Sequence, residues 1–168
     1  MSADYYGRLE QGRSPQPSTQ LLAQNAMARD LLGGVCTVSE HGRNVVWRWF
    51  TDLSARDAYA PEEHEHHSRL HVADLRAAYA RRGKDAAATR LVTRLRAASD
   101  EFTRLWNLHE AGVLRGNRMR VRHPSVGEFE LGCEVLASPA ADQRLFVFTA
   151  PPGSPSVELL ERLRAVAV

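Results

Sequence analysis

The hydrophobic period of the chain changes at Asn117, and this change limits the folds that the chain can adopt. From there, apolar and polar residues alternate with a period of two, over 118–122 and again over 128–135. Such alternation is typical of half-buried β-strands. The segment 123–127, His-Pro-Ser-Val-Gly, has the composition of a turn and separates the two runs. The pattern predicts an antiparallel hairpin.

The register of this hairpin follows from where its turn is placed. A turn centred on Ser125 sets Arg122 opposite Glu128 and Arg120 opposite Glu130. These opposite charges lie on one face and favour this register, although each exposed ion pair contributes less than about 1 kcal/mol. The alternate residues then point together to the core: Met119, Val121, Phe129, Leu131 and Cys133.

Ahead of the hairpin, apolar residues recur at helical spacing. Helices are predicted over 2–13, 19–32, 44–51, 62–81, 85–97 and 100–110. Ser99 is a suitable N-cap for the last of them. A third strand over 144–149 and a closing helix, which starts at Ser154 or Ser156, complete the pattern. The sequence therefore predicts an α+β fold: a helical block, an antiparallel sheet of three or more strands, and a C-terminal helix.

Composition excludes several classes of protein. The 168 residues suit one domain, and a net charge of +2 does not indicate a nucleic-acid binder unless a local basic patch supplies the contact. No run approaches the roughly 20 apolar residues that a membrane span needs, and no secretory leader opens the chain. Cys36 and Cys133 lack CxxC spacing and are expected to be reduced thiols. We expect a soluble cytoplasmic protein.

A histidine-rich segment at 62–71 is the strongest local signal. Glu63, His67 and His71 are four residues apart, so a helix places them on one face where they could bind zinc. The zincin spacing would need a histidine where Ser68 stands. A solvated helix surface is the better interpretation, and we expect no metal and no cofactor.

Catalytic patterns are not evident in the sequence. Ser14, Ser125 and Ser154 stand in Pro- or Gly-rich breaks without the nucleophile-elbow pattern. Gly33 and Gly34 lack the lysine of a phosphate-binding loop. We expect no enzyme, with a metal-dependent activity of the histidine-rich helix as the alternative. The bulky aromatic side chains could be core or could line a pocket, and periodicity does not separate the two.

Several stretches together resemble the MmyB-like transcription regulators. Those at 44–52, 102–109, 123–128 and 142–154 resemble the ligand-binding domain of that family, and 64–75 resembles one branch of it. The resemblance covers nearly the whole chain. It implies a PAS-like sensor domain over 21–168 of an actinobacterial-type transcription regulator, with a small lipid-like ligand such as a fatty acid.

Bulk and position within the resemblance select the residues expected to bind this ligand. They are Trp47, Phe50, Phe102, Trp106, His109, Phe146 and Phe148. A carboxylate on the ligand could be met by Arg48, Arg104 or His109. Removing an acyl chain from water contributes roughly 0.8 kcal/mol per methylene group, so an apolar pocket alone gives useful affinity.

Residues 1–20 resemble the recognition helix and following turn of a helix-turn-helix of the xenobiotic-response-element class. The resemblance assigns DNA contacts to Ser2, Tyr5, Arg8 and Arg13. The other helices of such a module are not recognisable, and a helix below about 12–15 residues is marginal alone. DNA binding by this chain is therefore expected to be weak or absent, and sequence-specific binding at physiological salt in a mobility-shift assay would contradict this.

Two readings of the function therefore stay open. One is a ligand-responsive transcription regulator, and the other is a truncated ligand-binding or dimerisation protein that does not bind DNA. Tyr6 and Leu9 of the recognition helix, left uncovered without its packing partners, could pack on the sensor domain or drive self-association into a homodimer.

Overall fold

The structure is a computed structural model that describes residues 19–34, 42–81, 86–110, 117–138 and 143–166. Within these residues the helices are α1 (Ala26–Leu32), α2 (Val45–Thr51), α3 (His64–Arg81), α4 (Ala86–Ala98), α5 (Asp100–Asn107) and α6 (Ser156–Val166). The strands are β1 (Asn117–His123), β2 (Gly127–Ser138) and β3 (Gln143–Thr149). Helices come first, an antiparallel sheet follows and α6 closes the order, which confirms the predicted α+β class.

The three strands form one antiparallel sheet in the order β1–β2–β3. Arg122 pairs with Glu128 and Arg120 with Glu130, so the predicted register is confirmed. Gly127 ends the turn with a φ of +85°, a conformation that glycine adopts without steric cost. The five residues predicted to point inward are all buried: Met119, Val121, Phe129, Leu131 and Cys133.

The ion pairs on the outer face of the hairpin differ in part from those expected. Arg122 Nε lies 3.9 Å from Glu128 Oε2, as the register implies. Arg120 Nη1 also turns to Glu128, at 3.5 Å, while Arg118 Nη1 contacts Glu130 at 3.0 Å. Diagonal neighbours on adjacent strands are within reach of long side chains. This change of ion-pair partners leaves the strand register unchanged, because the buried inner face determines the register.

Helices α1 and α6 cover the inner face of the sheet. Leu31 of α1 and Leu163 of α6 are buried among the inward residues of β1 and β2. The Glu130 N–H donates to Ser156 Oγ at 3.2 Å, which fixes the first turn of α6 against β2. This core is separate from a second one that the helical block forms.

The segment 58–60 lies along the edge of β1 and joins the sheet to the helical block. It connects two short 3-10 helices, Leu53–Arg56 and Pro61–Glu63. Tyr59 forms an isolated antiparallel bridge with Val121. Because directly opposite residues share a face and Val121 points inward, the Tyr59 side chain also lies on the inner face.

Helices α2–α5 pack around an apolar core of their own. Asn44 caps α2 by accepting the Trp47 N–H at 2.9 Å. Ser99, the predicted cap, accepts the Phe102 N–H at 3.1 Å at the start of α5. The buried members of this core are Val46, Trp49, Phe50, Val72, Leu75, Leu91, Val92, Leu95, Phe102 and Leu105. Tyr59 packs against both cores and lies at their junction.

Two predicted helices are shorter than the sequence pattern indicated. The helix predicted over 19–32 begins only at Ala26, because Asn25 caps it by accepting the Ala28 N–H at 2.8 Å. Ahead of the cap, Gln20 is paired with Asn44 in an isolated bridge. The backbone of Gln20 therefore pairs with another segment and does not form a helix.

The helix predicted over 100–110 ends at Asn107. His109 has a φ of +57°, in the left-handed region, so the helical ladder stops one turn early. The Leu108 N–H still donates to the Leu105 carbonyl at 3.2 Å, which closes the last turn.

Candidate ligand-binding site

Helix α3 buries a wide stripe that is apolar on one half and polar on the other. The apolar half packs into the helical core and carries Val72, Leu75 and Tyr79. The polar half carries His67, His71 and Asp74, at spacings of four and three residues. Asp74 bonds to Arg144 of β3, and the His67 ring lies 4.7 Å from that of Tyr59. The polar half therefore faces the sheet.

The expectation of a solvated histidine surface is wrong for His67, although His66 is exposed. His67 is only 5% exposed, because its ring packs between those of Trp49 and Tyr59. Burial lowers its pKa, and the Glu63 carboxylate at 3.5 Å opposes that shift. In the part of the chain that the structure describes, no group of three or more His, Cys, Asp or Glu side chains could hold a metal ion.

Trp49 is the centre of the contacts between α2 and α3. Its Nε1–H donates to Ser68 Oγ at 2.8 Å, and the Ser68 hydroxyl donates to Glu101 Oε1 at 2.6 Å. Arg56 Nη2 binds the other oxygen of Glu101 at 2.7 Å and lies over the Trp49 ring. Three histidines of α3 surround the indole, with ring centroids within 5.9 Å: His64, His67 and His71. This network fixes α3 relative to α2 and α5.

Tyr59 and His71 lie near the junction between α3 and the sheet, and this junction is called the recess below. Burial raises the pKa of the Tyr59 hydroxyl to about 12 and lowers the pKa of the His71 imidazole to about 4. Shifts of this size require that protein atoms surround a group closely. Yet both side chains keep part of their surface accessible. Both groups are therefore poorly hydrated but not fully covered, and this junction is the candidate ligand site.

The sheet forms the apolar wall of this recess. Cys133 is buried, and burial raises the pKa of its thiol. Tyr59 packs against the same apolar cluster to which Cys133 belongs. Val135 and Phe148, on the same inner face, are partly buried against this core. The wall on the α3 side is polar, so the recess has two chemically distinct sides.

A buried ion pair bridges α3 and β3 beside the recess. Arg144 Nη1 and Nη2 bind Asp74 Oδ1 and Oδ2 at 2.6 and 2.7 Å, and Asp74 is only 2% exposed. Two parallel N–H···O bonds of this kind fix orientation as well as distance. The pair thus holds the edge strand at a set distance from the helix.

Comparison with family models identifies the chain. The model of the MmyB-like transcription regulator ligand binding domain matches residues 16–163. The chain belongs to this family. No curated protein matches it. Among the helices that the structure describes, none is long and apolar enough to cross a membrane.

The residues predicted to bind the ligand of this MmyB-like domain fall into separate groups. Four belong to the helical core or pack against it: Trp47, Phe50, Phe102 and Trp106. Two lie on the inner face of β3, where Phe148 is partly buried and Phe146 is 37% exposed. His109 is exposed, and its Nδ1 lies 2.6 Å from the Asn107 carbonyl oxygen. Of these seven, only Phe148 packs in the core that lines the recess, and the ligand-binding roles remain predictions.

The three candidates for a carboxylate contact also have different surroundings. Arg104 is exposed and binds Glu65 Oε2 at 3.1 Å on the surface. His109 is exposed beyond the end of α5. Arg48, in the last turn of α2, is partly buried, and its charge lowers the pKa of Tyr59. Of the three, Arg48 alone is partly buried, and the carboxylate contact stays a prediction.

Sequence reasoning did not select the polar groups of the recess. Tyr59, His71, Asp74 and Arg144 are absent from the predicted ligand set, although the i, i+4, i+7 spacing of His67, His71 and Asp74 places them on one face of a helix. This spacing is the feature of the sequence that could have indicated a shared polar face on α3.

The residues predicted to contact DNA lie outside the described residues: Ser2, Tyr5, Arg8 and Arg13. The predicted helix over 2–13 lies there too. The family match begins at residue 16, close to the predicted domain boundary between 20 and 21. The helix-turn-helix assignment therefore stays a prediction.

Proposed function

We propose that this MmyB-like domain is the sensor of a transcription regulator and binds a small, fatty-acid-like amphiphile in the recess between α3 and the sheet. The observation that carries the proposal is the position of Tyr59 and His71 at the junction of the two cores, where both side chains stay partly accessible between the polar face of α3 and the apolar face of the sheet. Family membership supports a ligand-binding role at the coarser level.

The chemistry of the two walls suits a molecule with one apolar and one polar part. The acyl chain would lie on the inner face of the sheet near Cys133, Val135 and Phe148, where each methylene removed from water contributes roughly 0.8 kcal/mol. The polar wall supplies hydrogen bonds from Tyr59 and His71 for the head group. A few polar groups in a mostly apolar site are typical of small-molecule pockets.

We further propose that the domain does not chemically change its ligand. Burial raises the pKa of the Cys133 thiol, so this group stays protonated and is a poor nucleophile. The ligand recovered after incubation is expected to have an unchanged mass. A product of different mass would contradict this.

The remaining parts of the role are expectations from the family. A regulator that responds to its ligand would act on DNA in the cytoplasm, as a homodimer of two copies of this chain. DNA contact, which we expect to be weak or absent in this chain, would depend on Ser2, Tyr5, Arg8 and Arg13, and an electrophoretic mobility-shift assay with and without ligand tests it.

The binding site is tested by filling the recess. Val135 points inward from β2 and its neighbour Glu134 is exposed, so Val135→Trp and Glu134→Trp form a matched pair. We expect dodecanoic acid to bind the wild type and the Glu134→Trp variant alike, and Val135→Trp at least about tenfold more weakly because the indole occupies the space of the chain. Isothermal titration calorimetry below the micelle concentration measures the affinity of the wild type and of each variant.

Circular dichroism checks that both variants are folded. Equal affinity of the two variants would contradict the location of the site, and absence of binding to the wild type would contradict the choice of ligand.

A further inference from the structure

The two edges of the sheet differ in how the chain covers them. Along β1, the Ala60 N–H donates to the Arg120 carbonyl at 3.1 Å. The Arg122 N–H donates to the Ala58 carbonyl at 2.9 Å, so the segment 58–60 covers this edge. Among the residues that the structure describes, β3 pairs with β2 and with no other segment. An edge strand left open in this way is a template for pairing with another chain.

The residues of β3 do not protect its open edge. Edge strands are commonly protected by lysine, by proline or by a charge that pairing would bury. The strand has no lysine and no proline. Its one charged residue is Arg144, which two hydrogen bonds already bind to Asp74. Pairing along this edge therefore buries no unneutralised charge of β3.

The outer face of the sheet is apolar beside this edge. Leu145 is 61% exposed, and Leu136, directly opposite on β2, is 56% exposed. Along β1, by contrast, ion pairs cover the outer face, as between Arg118 and Glu130. Exposed apolar patches that polar residues border are typical of protein–protein contacts. The edge and the apolar patch beside it thus form one surface suited to a second chain.

The sequence of β3 is nearly symmetric about its central residue, Phe146. Leu145 and Val147 flank the centre and point to the outer face, and the polar residues Gln143 and Thr149 form the two ends. Two antiparallel copies of β3 centred on Phe146 therefore set Leu145 of one copy opposite Val147 of the other, and Gln143 opposite Thr149. A two-fold interface requires a surface that is complementary to itself in this way.

The same register avoids repulsion between arginines. It sets Arg144 of one copy opposite Phe148 of the other, whereas a pair centred on Arg144 would set two like charges opposite each other. Arg144 already lies near an aromatic ring of its own strand, with Cζ 5.7 Å from the centroid of Phe146. A second ring opposite it continues this cation–π arrangement. The pairing centred on Phe146 also uses all seven residues of the strand.

We propose that β3 pairs antiparallel with β3 of a second copy of this chain, centred on Phe146, so that two three-stranded sheets become one sheet of six strands. Main-chain hydrogen bonds give strand addition its affinity, and the contacts between Leu145 and Val147 add to it. This inference goes beyond ligand binding, because it assigns an interface to the homodimer and does not require a ligand.

Sedimentation velocity of the whole chain without fatty acid, over about a hundredfold range of protein concentration, tests the interface. The wild type is expected to dimerise as the concentration rises. Leu145→Lys should weaken dimerisation at least about tenfold, because a lysine on an edge strand opposes pairing. Leu108→Lys replaces an exposed leucine outside the sheet, so it is the matched control and should dimerise like the wild type.

A mixing experiment tests the register. Phe146→Lys and Phe146→Glu should each be monomeric, because the pairing sets two like charges opposite each other. An equal mixture of the two variants should form a heterodimer, since the facing charges are then opposite. Absence of a heterodimer in the mixture would overturn the pairing centred on Phe146.

The remaining outcomes are equally clear. A wild type that stays monomeric at every concentration overturns the inference, as expected if another part of the same chain or a different protein covers β3. Dimers that persist in Leu145→Lys overturn it as well, and so does an equal loss in Leu145→Lys and Leu108→Lys. None of these results depends on dodecanoic acid, so failure of this inference leaves the proposed function standing. Circular dichroism checks that each variant is folded.

Discussion

Replacing Asp74 with alanine is expected to lower the free energy of unfolding by about 3 kcal/mol, because it leaves a partly buried guanidinium without its carboxylate. Asp74 is almost completely inaccessible, and both of its oxygens are bound by Arg144. Urea denaturation monitored by circular dichroism measures the change. The loss should also appear as greater mobility of β3, the strand that this pair ties to α3.

Two further variants separate the cost of an unpaired charge from the value of the pair. Joint replacement of Asp74 by leucine and Arg144 by methionine should be far less damaging than Asp74→Ala, since a buried pair exchanged for apolar groups is often neutral. Arg118→Met, which breaks an exposed pair with Glu130, should cost less than about 1 kcal/mol. An Asp74→Ala loss no larger than that of Arg118→Met would refute the structural role of the pair.

Acidification is expected to destabilise the domain through His71. The pKa of His71 in the fold is about 4, against about 6.5 in the unfolded chain, because burial disfavours its charged form. As the pH falls from 6.5 to 4, the unfolded chain takes up a proton that the folded chain does not. The contribution of the uncharged His71 ring to the free energy of unfolding is therefore fully present above pH 6.5. It falls with decreasing pH, by at most about 3 kcal/mol at pH 4, since the ring keeps some contact with solvent.

Urea denaturation between pH 7 and pH 4 tests this expectation. The carboxylates of Glu62 and Glu65 also reduce the stability of every variant at low pH, because hydrogen bonding in the folded chain lowers the pKa of both groups. The informative quantity is therefore the difference from the wild type. His71→Gln should show a shallower decline towards pH 4, whereas His66→Gln, at an exposed position on the same helix, should follow the wild type. Identical declines for wild type and His71→Gln would contradict the buried, uncharged state of His71.

The hairpin could be predicted from the sequence because its information is local. Alternating residues fix which side chains point inward, and the turn at 123–127 fixes the register. Ser99 was recognisable as a cap for the same reason, since a cap and its N–H donor are three residues apart. Fold class and the sheet core follow from such local patterns.

The recess could not be predicted in this way, because its polar groups depend on partners distant in sequence. Asp74 is buried because Arg144 neutralises it, and the two are 70 residues apart. His67 is buried because Trp49 and Tyr59 cover its ring. A hydrophobic-periodicity argument assigns buried positions to apolar residues, so it placed the polar half of α3 in solvent.

Aromatic bulk alone does not distinguish a ligand site from an ordinary core, for a related reason. Large rings bury the most area and therefore collect in any core, whether or not that core contains a ligand. Phe102 is completely buried and stacks on Trp106, which fills the centre of the helical block. Only the tertiary arrangement distinguishes such rings from Phe148, which packs in the core that lines the recess.

A crystal structure of the protein with dodecanoic acid tests the central claim most directly. We predict the acyl chain between α3 and the inner face of β2 and β3, with the head group at Tyr59 and His71. An acid bound instead on the exposed outer surface at Leu136 and Leu145, with side chains of the protein filling the space around His71, would contradict the account.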